Sequence, residues 1–122
     1  MAEEMDVKEL PEFLQNVIKK YPEVWRSFEG LGAALGGIDG LDRKTQQIVK
    51  LGIAVGSGSE GAVHSNARRC KAAGFSDEEI YHAAMLAATT IGWPRAVAAL
   101  SWINDVLREI KPEAGRARAA RR

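Results

Sequence analysis

Three side chains suited to acid–base and anion chemistry lie four residues apart in the sequence: Glu60, His64 and Arg68. Residues at this spacing share one face of an α-helix. A carboxylate beside an imidazole can move protons near neutral pH, and an arginine can bind a substrate carboxylate. Glu60 and His64 are therefore the candidate catalytic residues, with Arg68 as an accessory. The simpler interpretation is that Glu60 caps a helix and that the three form an ion-pair ladder on a surface or between subunits.

Two further side chains are candidates for a site. Cys70 is the one cysteine of the sequence and lies within a predicted helix, so we expect a buried small residue rather than a nucleophile. Trp93 precedes Pro94 at a helix junction, where an aromatic ring lines a pocket mouth or packs in a core or interface. His64 and His82 fall on different predicted helices, so we expect neither a metal site nor a cofactor.

The elements that carry these residues are predicted to be helices throughout. Apolar residues recur at three- and four-residue spacing, and proline and glycine interrupt the pattern at regular intervals. The segment around 48–55 also suits a buried strand, but the polar helix formers before it favour a helix. Ser57 with Glu60 and Ser76 with Glu79 both have the capping-box pattern. The predicted helices cover about 10–20, 22–35, 43–55, 60–73, 76–91 and 94–110.

Length and charge limit the class of protein. The 122 residues predict a single domain over 1–115 and a basic tail at 116–122. The 17 basic and 16 acidic residues nearly balance, so we expect neither a nucleic-acid partner nor a membrane surface. The apolar runs are shorter than the roughly 20 residues of a spanning helix. With one cysteine and no leader-like start, the sequence predicts a cytoplasmic protein.

Several sequence blocks, in this order and spacing, are similar to one known family. They are Leu41-Asp42-Arg43-Lys44, Ser59-Glu60-Gly61-Ala62, Ala72-Ala73-Gly74-Phe75-Ser76-Asp77-Glu78-Glu79-Ile80 and Gly92-Trp93-Pro94-Arg95-Ala96-Val97-Ala98-Ala99-Leu100. Together they resemble the core, about 41–107, of the carboxymuconolactone decarboxylase / AhpD-like family. The resemblance implies an all-α bundle of about six helices that forms a homo-oligomer, a trimer or a hexamer.

The resemblance also implies a site, and this sequence departs from it. In the AhpD-like branch, two cysteines, a histidine and a glutamate carry a thiol redox relay, and these positions fall here on Ser59, Ala62, Asn66 and Gln47. Serine is not ionised at neutral pH, alanine is inert, and amides cannot exchange protons. The decarboxylase branch keeps a histidine at the position of Asn66, so this substitution affects that activity too. Gln47 and Asn66 either hydrogen-bond to each other across two helices or bind a small polar ligand.

Three functions remain open at this level. The first is a family member without thiol chemistry that binds or acts on a small organic acid or carbonyl compound through Glu60 and His64. The second is a non-catalytic oligomeric scaffold or ligand-binding protein with a vestigial pocket. The third is a peroxidase that uses Cys70 with an external thiol.

Overall fold

The structure, a computed structural model, describes residues 7–110, apart from the side chain of Glu9. The predicted basic tail at 116–122 lies outside the described residues. Within them the chain forms six α-helices and two short 3₁₀ helices with no strand, which confirms the all-α prediction for this range. The α-helices are α1 Glu12–Lys20, α2 Pro22–Gly36, α3 Arg43–Ser57, α4 Glu60–Ala72, α5 Asp77–Met85 and α6 Trp93–Ile110, and the 3₁₀ helices are Val7–Glu9 and Leu86–Thr89.

Two details at helix ends differ from the predictions. Ser57 does not cap α4: it is the last residue of α3, and its Oγ donates to the carbonyl oxygen of Ala54 at 2.7 Å. Gly58, with φ of 69°, turns the chain, so Ser59 becomes the cap and accepts from the backbone N–H of Ala62 at 3.3 Å. The fifth helix ends at Met85 rather than near residue 91, because the chain tightens into a 3₁₀ turn.

The described chain separates into two compact units, one ending at Asp42 and the other beginning at Arg43. The first contains α1 and α2, which pack against each other, and Trp25 and Phe28 lie with ring centroids 5.5 Å apart. Neither α1 nor α2 contains a buried residue. The single domain over 1–115 stays a prediction.

The second unit has the hydrophobic core, with α4 packed against both α3 and α6. Six of the buried core residues are alanines, four of them completely inaccessible, which lets the helix axes approach closely. No helix among residues 7–110 combines the length and apolarity needed to cross a membrane. The core residues are Leu51, Ala54, Val55, Val63, Ala67, Cys70, Ile80, Ala84, Ala87, Ala96, Ala99, Ile103, Val106 and Leu107.

Contacts at both ends of α4 fix its direction relative to α6. The turn before α4, at Gly58, lies against Arg95 at the start of α6. Towards the other end of α4, Arg68 pairs with Glu109 near the end of α6. Residue numbers therefore increase together along the two helices, which run parallel. Their amino-terminal ends lie on the same side of the second unit.

The predicted capping box at the start of α5 is confirmed. The hydroxyl of Ser76 accepts from the backbone N–H of Glu79 at 3.1 Å, and the Glu79 carboxylate accepts from the backbone N–H of Ser76 at 2.9 Å. The pKa of Glu79 is lowered, mainly by the hydrogen bond from the Ser76 backbone and to a smaller extent by one from the Ser76 hydroxyl. Because its pKa is lowered, the ionised carboxylate stabilises the folded state fully at pH values above the ordinary glutamate pKa. This stabilisation is lost as the pH falls through the lowered pKa.

We expect Ser76→Ala to lower the free energy of unfolding by about 1 kcal/mol, because the N–H of Glu79 loses its acceptor. Urea unfolding followed by circular dichroism measures this. Ser101→Ala, at an exposed position inside α6, is the matched control and should change stability by no more than about 0.5 kcal/mol. Equal losses in the two variants would show that the cap contributes nothing.

Candidate functional site

Helix α4 carries two polar faces, one on each side of its buried edge. Val63, Ala67 and Cys70 form that edge and are fully buried. Asn66 lies on the flank towards α3, whereas His64 and Arg68 lie on the flank towards α6. The structure therefore divides the predicted site residues into two groups that belong to different helix pairs.

On the α3 side, the amides of Gln47 and Asn66 bond to each other. Gln47 is 5% exposed, and its Nε2 donates to Oδ1 of Asn66 at 3.1 Å. Nδ2 of Asn66 donates to the carbonyl oxygen of Ala62 at 2.8 Å, one turn earlier in α4. Of the two predicted interpretations, the mutual hydrogen bond is thus present. Burying an amide costs free energy unless it is paired, and this pair removes that cost without any charge.

Cys70 belongs to this side and is a core residue, as predicted. Its side chain is fully buried, and its thiol lies 3.7 Å from the backbone carbonyl oxygen of Gln47, to which it donates. A reactive cysteine needs both access and a thiolate stabilised by positive charge or a helix amino terminus. The buried position of Cys70, in the last turn of α4, provides neither access nor a helix amino terminus.

On the α6 side, two side-chain pairs join the helices. Nε2 of His64 lies 3.8 Å from Oδ2 of Asp105, and Nη2 of Arg68 lies 3.3 Å from Oε2 of Glu109. The described structure places acidic partners for His64 and Arg68 on α6, and the roles of Glu60 and His64 stay a prediction. The distance to Asp105 exceeds a hydrogen bond, and the shielded Nε2 of His64 has no hydrogen-bond partner among the described residues.

Asp105 and Glu109 were missed at the sequence level, although a signal for them exists. They are four residues apart on α6, as His64 and Arg68 are on α4. Opposite charges repeated at the same spacing on two helices indicate that the faces meet. Their pairing also requires the helices to be parallel, and the sequence does not reveal the direction of packing.

A third group gathers at the shared amino-terminal ends of α4 and α6. A Cβ added at Gly58 would lie 1.7 Å from Nη1 of Arg95, so the guanidinium lies directly against this turn. Ser59 and Glu60 follow the turn, and Trp93 begins α6 with an exposed ring. Trp93 is therefore at the surface beside this end, not in the core. Sequence reasoning missed Arg95, because only the fold places it next to the start of α4.

These ends combine the partial positive charge of two helix termini with the side-chain charges of Arg95 and Glu60. The first N–H groups of a helix lack acceptors within the helix, and the helix dipole adds partial positive charge there. Two parallel helices place two such ends together, and Arg95 adds a full charge. Ser59 accepts the N–H of Ala62, and the N–H groups of Glu60 and Gly61 have no acceptor within the helix. The arrangement can bind an anion.

The second unit also has an apolar groove of about 340 Å³, and none of the predicted site residues lines it. The groove runs between α3 and the segment from α5 through the second 3₁₀ helix. No three His, Cys, Asp or Glu side chains within residues 7–110 cluster in a way that could hold a metal ion. The lining residues are Ile48, Val49, Gly52, Val55, Gly56, Ala83, Leu86, Ala87, Thr90 and Ile91.

The described part of the chain is an all-α protein with six α-helices. Comparison with known families identifies which all-α family it belongs to. The model of the carboxymuconolactone decarboxylase family matches residues 22–105. The match extends from the start of α2 almost to the end of α6, and the chain belongs to this family. A search of the curated proteins found no match.

We expect the Gln47–Asn66 hydrogen bond to appear as a coupling energy. Asn66→Leu should lower the free energy of unfolding by about 1–3 kcal/mol, because it leaves the Gln47 amide buried without its partner. The double variant with Gln47→Met should lose less than the sum of the single losses, since no buried amide remains. Urea unfolding of the four proteins completes the cycle. Additive losses would show that the two amides are not a stabilising pair.

Proposed function

We propose that this member of the carboxymuconolactone decarboxylase family binds a small organic acid by its carboxylate at the amino-terminal ends of α4 and α6. One observation carries the proposal: the guanidinium of Arg95 lies against Gly58 at the turn into α4. Arginine can bind a carboxylate through two parallel hydrogen bonds, and the first N–H groups of α4 supply further donors.

The chemistry that fits this anchor is proton transfer. Four residues along a helix correspond to about 6 Å, so His64 lies one turn beyond Glu60 on the same face of α4. A keto or lactone acid held at Arg95 thereby extends towards an imidazole whose neighbour, Asp105, can orient it. In a decarboxylation-type step the bond to the carboxyl carbon breaks and carbon dioxide leaves. The electron pair left on the substrate then takes a proton from His64 or Glu60.

Thiol peroxidase chemistry does not fit the same residues. Ser59, Ala62, Asn66 and Gln47 occupy the four positions of the redox relay, and none exchanges a proton or an electron pair near neutral pH. The remaining thiol, Cys70, is buried. A function through carboxylate binding requires none of these groups to ionise.

A non-catalytic oligomeric ligand-binding protein is the second candidate, and a different observation favours it. The family's relay positions contain a neutral, internally satisfied amide pair, which is a structural rather than a reactive arrangement. We propose a homo-oligomer in either case, a trimer or a hexamer, because many large apolar side chains of the described residues are exposed. A cytoplasmic location remains part of the proposal, on the basis of the single cysteine.

We expect Arg95→Leu to weaken binding of small carboxylates by at least about tenfold, because a charge-assisted hydrogen bond worth about 1.5–3 kcal/mol is lost. Isothermal titration with pyruvate, succinate and carboxymuconolactone measures the affinity. Arg108→Leu, an exposed arginine near the opposite end of α6, is the control and should retain wild-type affinity. Equal binding by both variants would exclude the anchor, and no binding by the wild type would exclude the proposed ligand class.

We expect His64→Ala to reduce turnover of a keto or lactone acid by at least about a hundredfold, the usual contribution of a general acid or base. His82→Ala, an exposed histidine on α5, should leave turnover unchanged. Loss of turnover with carboxylate affinity preserved would separate chemistry from binding.

The two candidates and the thiol mechanism give different results in the same assays. Carboxylate binding that depends on Arg95, without turnover of any substrate, supports the non-catalytic protein. Reduction of a hydroperoxide by the wild type, lost in Cys70→Ser, would overturn the proposed function in favour of a thiol peroxidase.

A further inference from the structure

We propose that α2 of one copy of this chain docks lengthwise in the apolar groove of a second copy, and that the exchange is reciprocal. The inference deepens the homo-oligomer proposed above by naming the contact, and it is independent of carboxylate binding. The groove is the one formed by α3 and the segment from Ala83 to Ile91.

Helix α2 has an apolar face that nothing in its own unit covers. Val24, Phe28, Leu31 and Leu35 recur at intervals of four, three and four residues, so they form one stripe along the helix. Their exposures are 70%, 55%, 57% and 52%. An isolated helix of about this length is only marginally stable in water and depends on packing of its apolar face. Because α2 contains no buried residue, its stability requires a partner surface.

The groove has the shape that such a stripe requires. Gly52 and Gly56 on α3, with Ala83 and Ala87 opposite, place small side chains along its lining. A Cβ added at Gly52 or Gly56 would meet nothing within 4 Å, so there is open space above both glycines. Small residues allow a second helix to approach to the 8–10 Å axis separation of packed helices.

The edges of the groove are as apolar as the α2 stripe. Val49, Leu86 and Ile91 line it and are each more than two-fifths exposed. No charged residue is among its lining residues. Neither surface would therefore have to bury an unpaired charge on docking, which is the usual obstacle to burying a surface helix.

The dimensions of the two surfaces agree. The α2 stripe spans about 16 Å at 1.5 Å per residue, and the α3 side of the groove, from Ile48 to Gly56, spans about 12 Å. Three of the four stripe side chains can therefore lie over the groove at once. A small ligand of the size that fits the groove would leave most of this stripe exposed.

A second copy is the occupant because each chain offers both surfaces. Reciprocal docking forms the contact twice around a twofold axis and so joins the chains in pairs, which fits the hexamer proposed above, as three such pairs, and not the trimer. A stable interface buries roughly 800 Å² on each chain. Each chain contributes two surfaces, its α2 stripe and its groove, so each surface needs to bury about 400 Å². A stripe of one phenylalanine, two leucines and a valine, each more than half exposed, is of the right size for this.

Filling the groove tests the proposal. Gly52→Leu places a side chain in the open space above α3, where it displaces an incoming helix without a clash inside the chain. Gly61→Leu is the matched control, since a Cβ there also meets nothing within 4 Å and the site lies on α4, away from the groove. By light scattering, Gly52→Leu should form a smaller assembly than the wild type, whereas Gly61→Leu should retain the wild-type mass. Circular dichroism verifies that both remain helical.

A cross-link identifies which chain provides the helix. In Leu31→Cys/Gly52→Cys, mild oxidation should join two chains and give a band of doubled mass on a denaturing gel without reductant. A closed disulfide at the mass of one chain would overturn the proposal, because the chain's own α2 would then fill its groove. The buried Cys70 provides no competing accessible thiol.

The outcomes also separate this contact from oligomerisation in general. A wild-type assembly that persists in Gly52→Leu overturns α2 docking and leaves the homo-oligomer standing. A wild type that is monomeric at micromolar concentration overturns both. Carboxylate binding measured on the wild type and on Gly52→Leu shows whether the site at Arg95 is affected, and it is expected to be unchanged.

Discussion

The parallel packing of α4 against α6 is the constraint on which the polar organisation of this protein depends. Alanines buried on both helices, Ala67 on one and Ala96 and Ala99 on the other, favour a close approach of the axes. Once the direction is fixed, His64 faces Asp105 and Arg68 faces Glu109 without further adjustment. The same direction places both amino termini together, so that the proposed carboxylate site and the His64–Asp105 contact lie along one seam.

The opposite flank of α4 shows how a buried polar position can be retained without chemistry. An ionisable pair at Gln47 and Asn66 would have to compensate the cost of burying charge. Two amides need only each other and one backbone carbonyl. Family membership consequently predicts the shape of this region better than its reactivity.

Much of the fold follows from local signals in the sequence. Proline at residue 22, paired glycines at 36–37 and the serine–glutamate box at Ser76 set helix ends that the structure reproduces closely. The amide pair could also be predicted from the sequence, since Gln47 and Asn66 are isolated polar residues on otherwise apolar faces. The helix ends depend on local sequence alone. The amide pair needs only that α3 and α4, which follow each other in the chain, pack side by side in opposite directions.

The remaining features depend on long-range geometry. Asp105 and Arg95 become part of a site only when α6 lies parallel to α4, and the sequence does not specify that choice. The capping of α4 by Ser59 rather than Ser57 depends on the left-handed turn at Gly58. Glu60 and His64 do share a face, as the spacing predicts, but the nearest acid to the imidazole comes from another helix. A helical pattern identifies faces, whereas partners require the packed structure.

Gly58 links backbone conformation to the placement of charge. Its φ of 69° is one that side-chain-bearing residues rarely adopt, and the space where a Cβ would lie is occupied by the Arg95 guanidinium. An alanine at residue 58 would add no charge and remove none, and yet the Arg95 guanidinium would have to move from its present place against the turn. The position of a full positive charge at this end of the protein thus depends on the absence of a single methyl group.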